Sequence, residues 1–179
     1  MKKSLYYIRI AGILLLICAA VAGMLAAVNF FTEEKIAKSE LDTKITAIKE
    51  ELFPIDGEIT VKDVTDKITL PAEIKEVFAV YTGNTFLGYA VSTSGAGYGG
   101  SIELLVGISP EGKVTGVAVT SHTETKGLTD DAAKKDFLDG FKNSEDGAID
   151  KMAGATISSR AITDAVNRVV SLGLKGEIK

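Results

Sequence analysis

Residues Ile10 to Phe31 carry no charged side chain, and this unbroken run of 22 decides most of what the start of the chain can be. As a helix rising about 1.5 Å per residue it reaches roughly 33 Å, enough to cross a hydrocarbon layer about 30 Å thick. A cleaved signal peptide is the rival reading, with Lys2 and Lys3 as its basic start and Ala20-Val21-Ala22 as its cleavage site. The apolar run, however, continues through Gly23 to Val28, whereas the apolar part of a signal peptide is only about 7–15 residues long. A retained membrane helix is therefore expected at 10–31. Lys2, Lys3 and Arg9 precede it, and short basic flanks stay on the cytoplasmic side. Residues 1–9 should then be cytoplasmic and the large remainder extracytoplasmic.

That remainder is acidic. The whole chain has 20 basic and 24 acidic side chains, and Met1–Phe31 contains three of the former and none of the latter. The other 148 residues hold 17 basic and 24 acidic side chains, a net charge of −7. Such a surface argues against nucleic acid, which needs a basic footprint, and against anionic lipid headgroups. Cys18 is the only cysteine and His122 the only histidine. An internal disulfide framework, a thiolate metal cluster and a multi-histidine metal site are all excluded for this chain alone.

Beyond the span, Ile36, Leu41, Ile45, Ile48 and Leu52 recur among Glu and Lys, an amphipathic pattern that stops near Pro54. Residues 32–56 are read as a helix or linker packed on its own domain rather than as a surface for a partner helix. A domain at 57–179 follows. Glu76–Tyr81, Thr85–Thr93, Ser101–Ser109 and Lys113–Ser121 alternate or run apolar between turns at Gly83-Asn84 and Pro110-Glu111-Gly112. They predict a meander of antiparallel hairpins. Asp130–Phe141 reads as a short helix and Ser158–Leu174 as a longer one with Ile162, Val166, Val169 and Val170 inward. Strands followed by helices make the fold class α+β.

Gly95-Ala96-Gly97-Tyr98-Gly99-Gly100 formally fits G-x-G-x-x-G. A dinucleotide fingerprint needs a helix after it, and Ser101–Val106 reads as a strand, so the match is spurious. What remains is a glycine-rich crossing whose backbone can closely approach a flat ligand, or equally a simple wide turn. Ser121–Leu128 is a polar loop holding His122, a weak sign of acid–base chemistry, because a lone His is usually just solvated. Asp150 to Ser159 reads as a helix start with Thr156 as N-cap. Free N–H groups there, those of Ser158 and Ser159 included, would suit a phosphate.

The run Asp150, Ala153, Gly154, Ala155, Thr156 resembles D-x-x-[S/T]-G-A-T, the flavinylation signature of FMN-binding domains that carry FMN in phosphoester linkage to the final threonine. Ala153 stands where the family has Ser or Thr. The likeness extends to the single N-terminal span, to Gly97-Tyr98-Gly99-Gly100 before a strand, and to a His122-x-Glu124-Thr125-x-Gly127-Leu128 loop, where Lys126 replaces a frequent Pro. Together these resemble the G subunit of the Rnf ion-translocating electron-transport complex and, more distantly, the C subunit of the sodium-pumping NADH:quinone reductase.

The resemblance implies an α+β FMN-binding domain with an antiparallel sheet and flanking helices behind one transmembrane helix. It implies an electron-transfer component of an oxidoreductase complex, not catalytic alone, with covalent FMN on Thr156. The flavin ring would lie near Gly97–Gly100 and His122–Leu128, with Glu124, Thr125 and Leu128 as its closest contacts. Partners would be the other membrane, iron–sulfur and flavin subunits, and a flavin transferase for maturation. A stand-alone anchored flavoprotein and a flavin-free anchored sensor domain are the other classes such a chain could belong to.

Overall fold

The uncharged run lies within one long helix, α1 (Lys2–Ala47), in a computed structural model that describes residues 2–55, 57–123, 135–144 and 156–176. The chain forms two compact units, Met1–Asp42 and Thr43–Lys179. In the first, Arg9–Thr32 has a mean hydropathy of 2.6 and none of it is buried. Leu14, Leu15, Leu16 and Ile17 are consecutive and all exposed, so the helix is apolar on every side. A helix of that kind, with its backbone groups bonded internally, suits hydrocarbon. The Thr32 hydroxyl at its end donates to the Val28 carbonyl at 2.8 Å, which satisfies it without water.

The second unit is built on five antiparallel strands in simple sequential order: β1 (Ile59–Asp63), β2 (Ile74–Thr82), β3 (Thr85–Ala96), β4 (Ser101–Ile108) and β5 (Val114–His122). Both faces of the sheet are covered. On one, α1 ends in a π turn, Ile48–Leu52, closed by a 2.9 Å bond from the Phe53 N–H to the Ile48 carbonyl. Ile48, Leu52 and Phe53 pack there on Phe78, Val80, Ala90, Leu105 and Ala118. Gly107 and Gly116 face each other across β4 and β5. A Cβ on Gly116 would collide with the Glu51 carbonyl, so the glycine pair is the notch that admits the turn's backbone. Full burial of a leucine such as Leu52 contributes about 1.5–3 kcal/mol. Lys44, in the last turn of α1, pairs with Glu76 of β2 at the edge of this layer.

On the other face lie α2 (Lys135–Asp139), with Phe137, Leu138 and Phe141, and α3 (Thr156–Ser171). Ile162, Ala165, Val166 and Val169 of α3 meet Val91, Leu104 and Val106 of the sheet. The four expected strands are present with ends moved by a few residues. The edge strand β1 was not anticipated: its five residues include only the half-buried Ile59 and Val61 as apolar side chains, too short an alternation to read. The Asp130–Phe141 helix is helical over Lys135–Asp139, with turns after it and 130–134 outside the described residues. Helix α3 starts two residues earlier than expected and ends three earlier. Val170 is only half-buried. In the amphipathic stripe Ile48 and Leu52 are buried, Ile45 is half-buried and Leu41 is 46% exposed. Within the second unit, the last turn of α1 and the π turn pack on the sheet. The side chain of Ile36 lies outside the described residues.

Candidate functional site

The end of the sheet that holds the glycine-rich crossing is also the end where β5 and α3 meet it. Strand β2 begins at Ile74, opposite Thr93, whereas β3 runs on to Ala96 paired with β4 as far as Ser101. The β3–β4 ribbon therefore projects past β2 and leaves a step. Gly97, Tyr98, Gly99 and Gly100 close the ribbon through a 2.8 Å bond from the Gly97 N–H to the Gly100 carbonyl. Tyr98, at the tip, is 68% exposed.

A pocket of about 670 Å³ occupies the step, lined by Glu73, the stretch Ser94–Ser101 and Arg168. Sites for small molecules and cofactors fall at about 300–1,000 Å³. Arg168 reaches the pocket from α3 and donates from Nη2 to the Ser94 carbonyl at 2.6 Å. Its Nε is buried and has no hydrogen-bond partner among the described residues. Thr115 Oγ1 and Asn167 Oδ1 are buried and unpartnered in the same sense, but of the three only Arg168 is ionised and only Arg168 lines the pocket.

Close backbone approach ties the pieces together. A Cβ on Gly95 would stand 2.6 Å from the Ala161 carbonyl, so glycine is what lets α3 lie directly on β3. A Cβ on Gly100 would collide with the Thr123 hydroxyl. The Thr123 N–H continues the β4–β5 ladder to the Ser101 carbonyl at 3.2 Å. His122, the last residue of β5, is exposed opposite Ile102, one residue before that contact.

Three hydroxyls mark the start of α3, and burial sorts them. Thr156 is exposed, while Ser158 and Ser159 are 2% and 0% exposed. Ser159 Oγ donates to the Thr156 carbonyl at 3.3 Å. Thr156 is the first residue of the helix, one place further in than the N-cap role expected of it. It precedes Ala161, the residue seated on Gly95, by five positions, about 7.5 Å along the axis. The structure thus gathers Gly97, Tyr98, Gly99, His122 and the start of α3 at one end of the sheet. Glu124, Thr125, Gly127, Leu128, Asp150, Gly154 and Ala155 lie outside the described residues. Among the described residues no three His, Cys, Asp or Glu side chains come together as a metal site would require.

Sequence reasoning missed Glu73, Ser94 and Arg168. Arg168 lies seven residues, two helical turns, beyond Ala161 and so on the same side of α3. A charged residue on the small-residue side of an amphipathic helix was the available signal.

Comparison with known proteins agrees with this layout. Residues 1–50 match the family model of the RnfG N-terminal region, and residues 97–171 match that of the FMN-binding domain, from the first residue of the crossing to the end of α3. A relative in Clostridium ljungdahlii, the G subunit of a proton-translocating ferredoxin:NAD(+) oxidoreductase complex, is 32% identical over 159 residues, 82% of this chain and 80% of the relative. The G subunit of a Na(+)-translocating ferredoxin:NAD(+) oxidoreductase complex in Acetobacterium woodii is 29% identical, over 90% of this chain and 89% of that protein. Its counterpart from an ion-translocating oxidoreductase complex in Pseudomonas aeruginosa is 29% identical, over 83% of this chain and 79% of that one. The chain belongs to the family of G subunits of Rnf-type ion-translocating oxidoreductase complexes and carries the FMN-binding domain of that family.

Proposed function

We propose that this chain is a membrane-anchored electron-transfer component of an Rnf-type complex and that its FMN is joined by a phosphoester to Thr156. The observation that carries the linkage is the sorting of hydroxyls at the start of α3. Only that of Thr156 is open to a modifying enzyme, and Ser158 and Ser159 are inside. The residues present fit the cofactor. A pocket of suitable size lies between the glycine-rich crossing and Arg168 of α3, with an unpartnered guanidinium N–H beside it.

Each part of the site has a distinct task. The backbone N–H groups of Ile157, Ser158 and Ser159 would hold the phosphodiester charge at the positive end of α3. Such contacts stabilise by about 0.3–1 kcal/mol each, too little to retain a cofactor without a covalent bond. Gly97–Gly100 lets backbone approach a flat ring closely, with Tyr98 at the rim. His122 and the following Glu124, Thr125, Gly127 and Leu128 would complete the surroundings of the ring. Asp150, Gly154 and Ala155, which precede Thr156, would present it to a flavin transferase. FMN, when bound, supplies one- and two-electron transfer. The tether keeps the ring at high local concentration outside the cytoplasm.

The relatives are subunits of complexes, and this chain would hand electrons to and from the membrane, iron–sulfur and flavin subunits of its own. Ion passage would belong to those partners, because Ile10–Phe31 holds no Asp, Glu, Lys, Arg or His to line a path. The proposed orientation is N-terminus inside and FMN-binding domain outside.

The test is expression of wild type and Thr156→Ala in a host that makes the flavin transferase, with fluorescence of the denatured band. Wild type should fluoresce and Thr156→Ala should not, while circular dichroism of the variant stays that of the folded domain. A fluorescent Thr156→Ala band overturns the linkage.

A further inference from the structure

The pocket in the step between β2 and β3 contains a cation with a donor to spare. Arg168 spends one N–H on the Ser94 carbonyl, and its Nε is buried with no partner among the described residues. Leaving a buried donor unpaired costs about 1–3 kcal/mol, and more on an ionised group. In native proteins such a donor is met by ordered water, an ion or a ligand group. The guanidinium is held by its bond to the β3–β4 ribbon. Beside it Gly97, Gly99 and Gly100 line the pocket and bring no side chains to it. Glu73, which is exposed, is the acid among the residues that line the same pocket.

Resting on the reading that FMN is tethered at Thr156, we propose that Arg168 is a positioning residue for the flavin ring: it receives the ring's dione edge and raises the ring's redox potential. The chemistry that would satisfy it is an acceptor oxygen whose negative charge grows on reduction. The dione edge of a flavin is such an acceptor, because reduction places negative charge on its N1–C2 carbonyl region. A fixed cation there favours the reduced ring over the oxidised one and leaves the covalent bond at Thr156 untouched. Arginine suits this better than lysine, because its planar fork can hold Ser94 and a second acceptor at once.

The experiment is spectroelectrochemical titration of the detergent-solubilised full-length flavoprotein, wild type against Arg168→Gln, Arg168→Lys and Glu73→Lys. Flavin content is scored separately by fluorescence of the denatured band. Arg168→Gln should keep its covalent flavin yet shift the reduced-to-oxidised equilibrium about tenfold toward oxidised, which is about 30 mV more negative for a two-electron couple. Arg168→Lys, which keeps the charge, should recover most of that shift. Glu73→Lys should move the potential the opposite way, and it carries the test alone if Arg168→Gln does not fold. Flavin retained with an unmoved potential in Arg168→Gln, or an unmoved potential in Glu73→Lys, overturns the role of Arg168. Loss of flavin from Thr156 in wild type would instead overturn the reading beneath it.

Discussion

At the scale of single residues, the start of α3 separates what is chemically equivalent by where it sits. Thr156, Ser158 and Ser159 all offer a hydroxyl within four positions, yet only Thr156 is exposed. Ser159→Ala should therefore keep full flavin content while losing the hydroxyl's 3.3 Å bond to the Thr156 carbonyl, at about 0.5–1.5 kcal/mol of stability. Thermal unfolding together with in-gel fluorescence checks both halves; loss of flavin with an intact fold would contradict the account. Thr156 and the glycines of the crossing were legible in the sequence because they form a local motif. Arg168 was not, because its meaning depends on contact with Ser94, 74 positions away in the chain, and sequence spacing on one helix does not report which strand lies beneath it.

At the scale of elements, the same contrast holds. Strands β2 to β5 were readable because burial on both faces makes them nearly continuous apolar runs between turns; β3 is buried from Gly88 through Thr93. Strand β1 was lost because an edge strand with one half-buried face carries little signal. The glycine notch at Gly107 and Gly116 was also invisible, since nothing local says that a turn some 60 residues earlier will press its backbone there. Its consequence is testable. Gly116→Ala places a methyl against the Glu51 carbonyl, and crowding of this kind costs about 1–3 kcal/mol. Chemical denaturation should show that loss with flavin content unchanged, because the notch joins the sheet to the π turn and not to the candidate site. Wild-type stability in this variant would mean that the turn does not seat on the sheet as described.

At the scale of the whole molecule, a membrane-suited helix and a cofactor-suited domain are joined in one chain. The basic residues Lys2, Lys3 and Arg9 before the span predict that the domain faces outward. Protease added to spheroplasts should digest everything beyond Phe31; protection in spheroplasts with digestion in inverted vesicles would reverse the orientation. Such a domain would work beyond reach of the cytoplasmic flavin pool, a setting that would favour a covalent tether over reversible binding. The central claim is that tether, and its most direct test is the mass of the full-length chain isolated from native membranes, followed by peptide mapping. The account predicts a mass above that of the polypeptide by one FMN less one water, with the added mass on the peptide containing Thr156. An unmodified chain, or a flavin-bearing peptide that excludes Thr156, would contradict it.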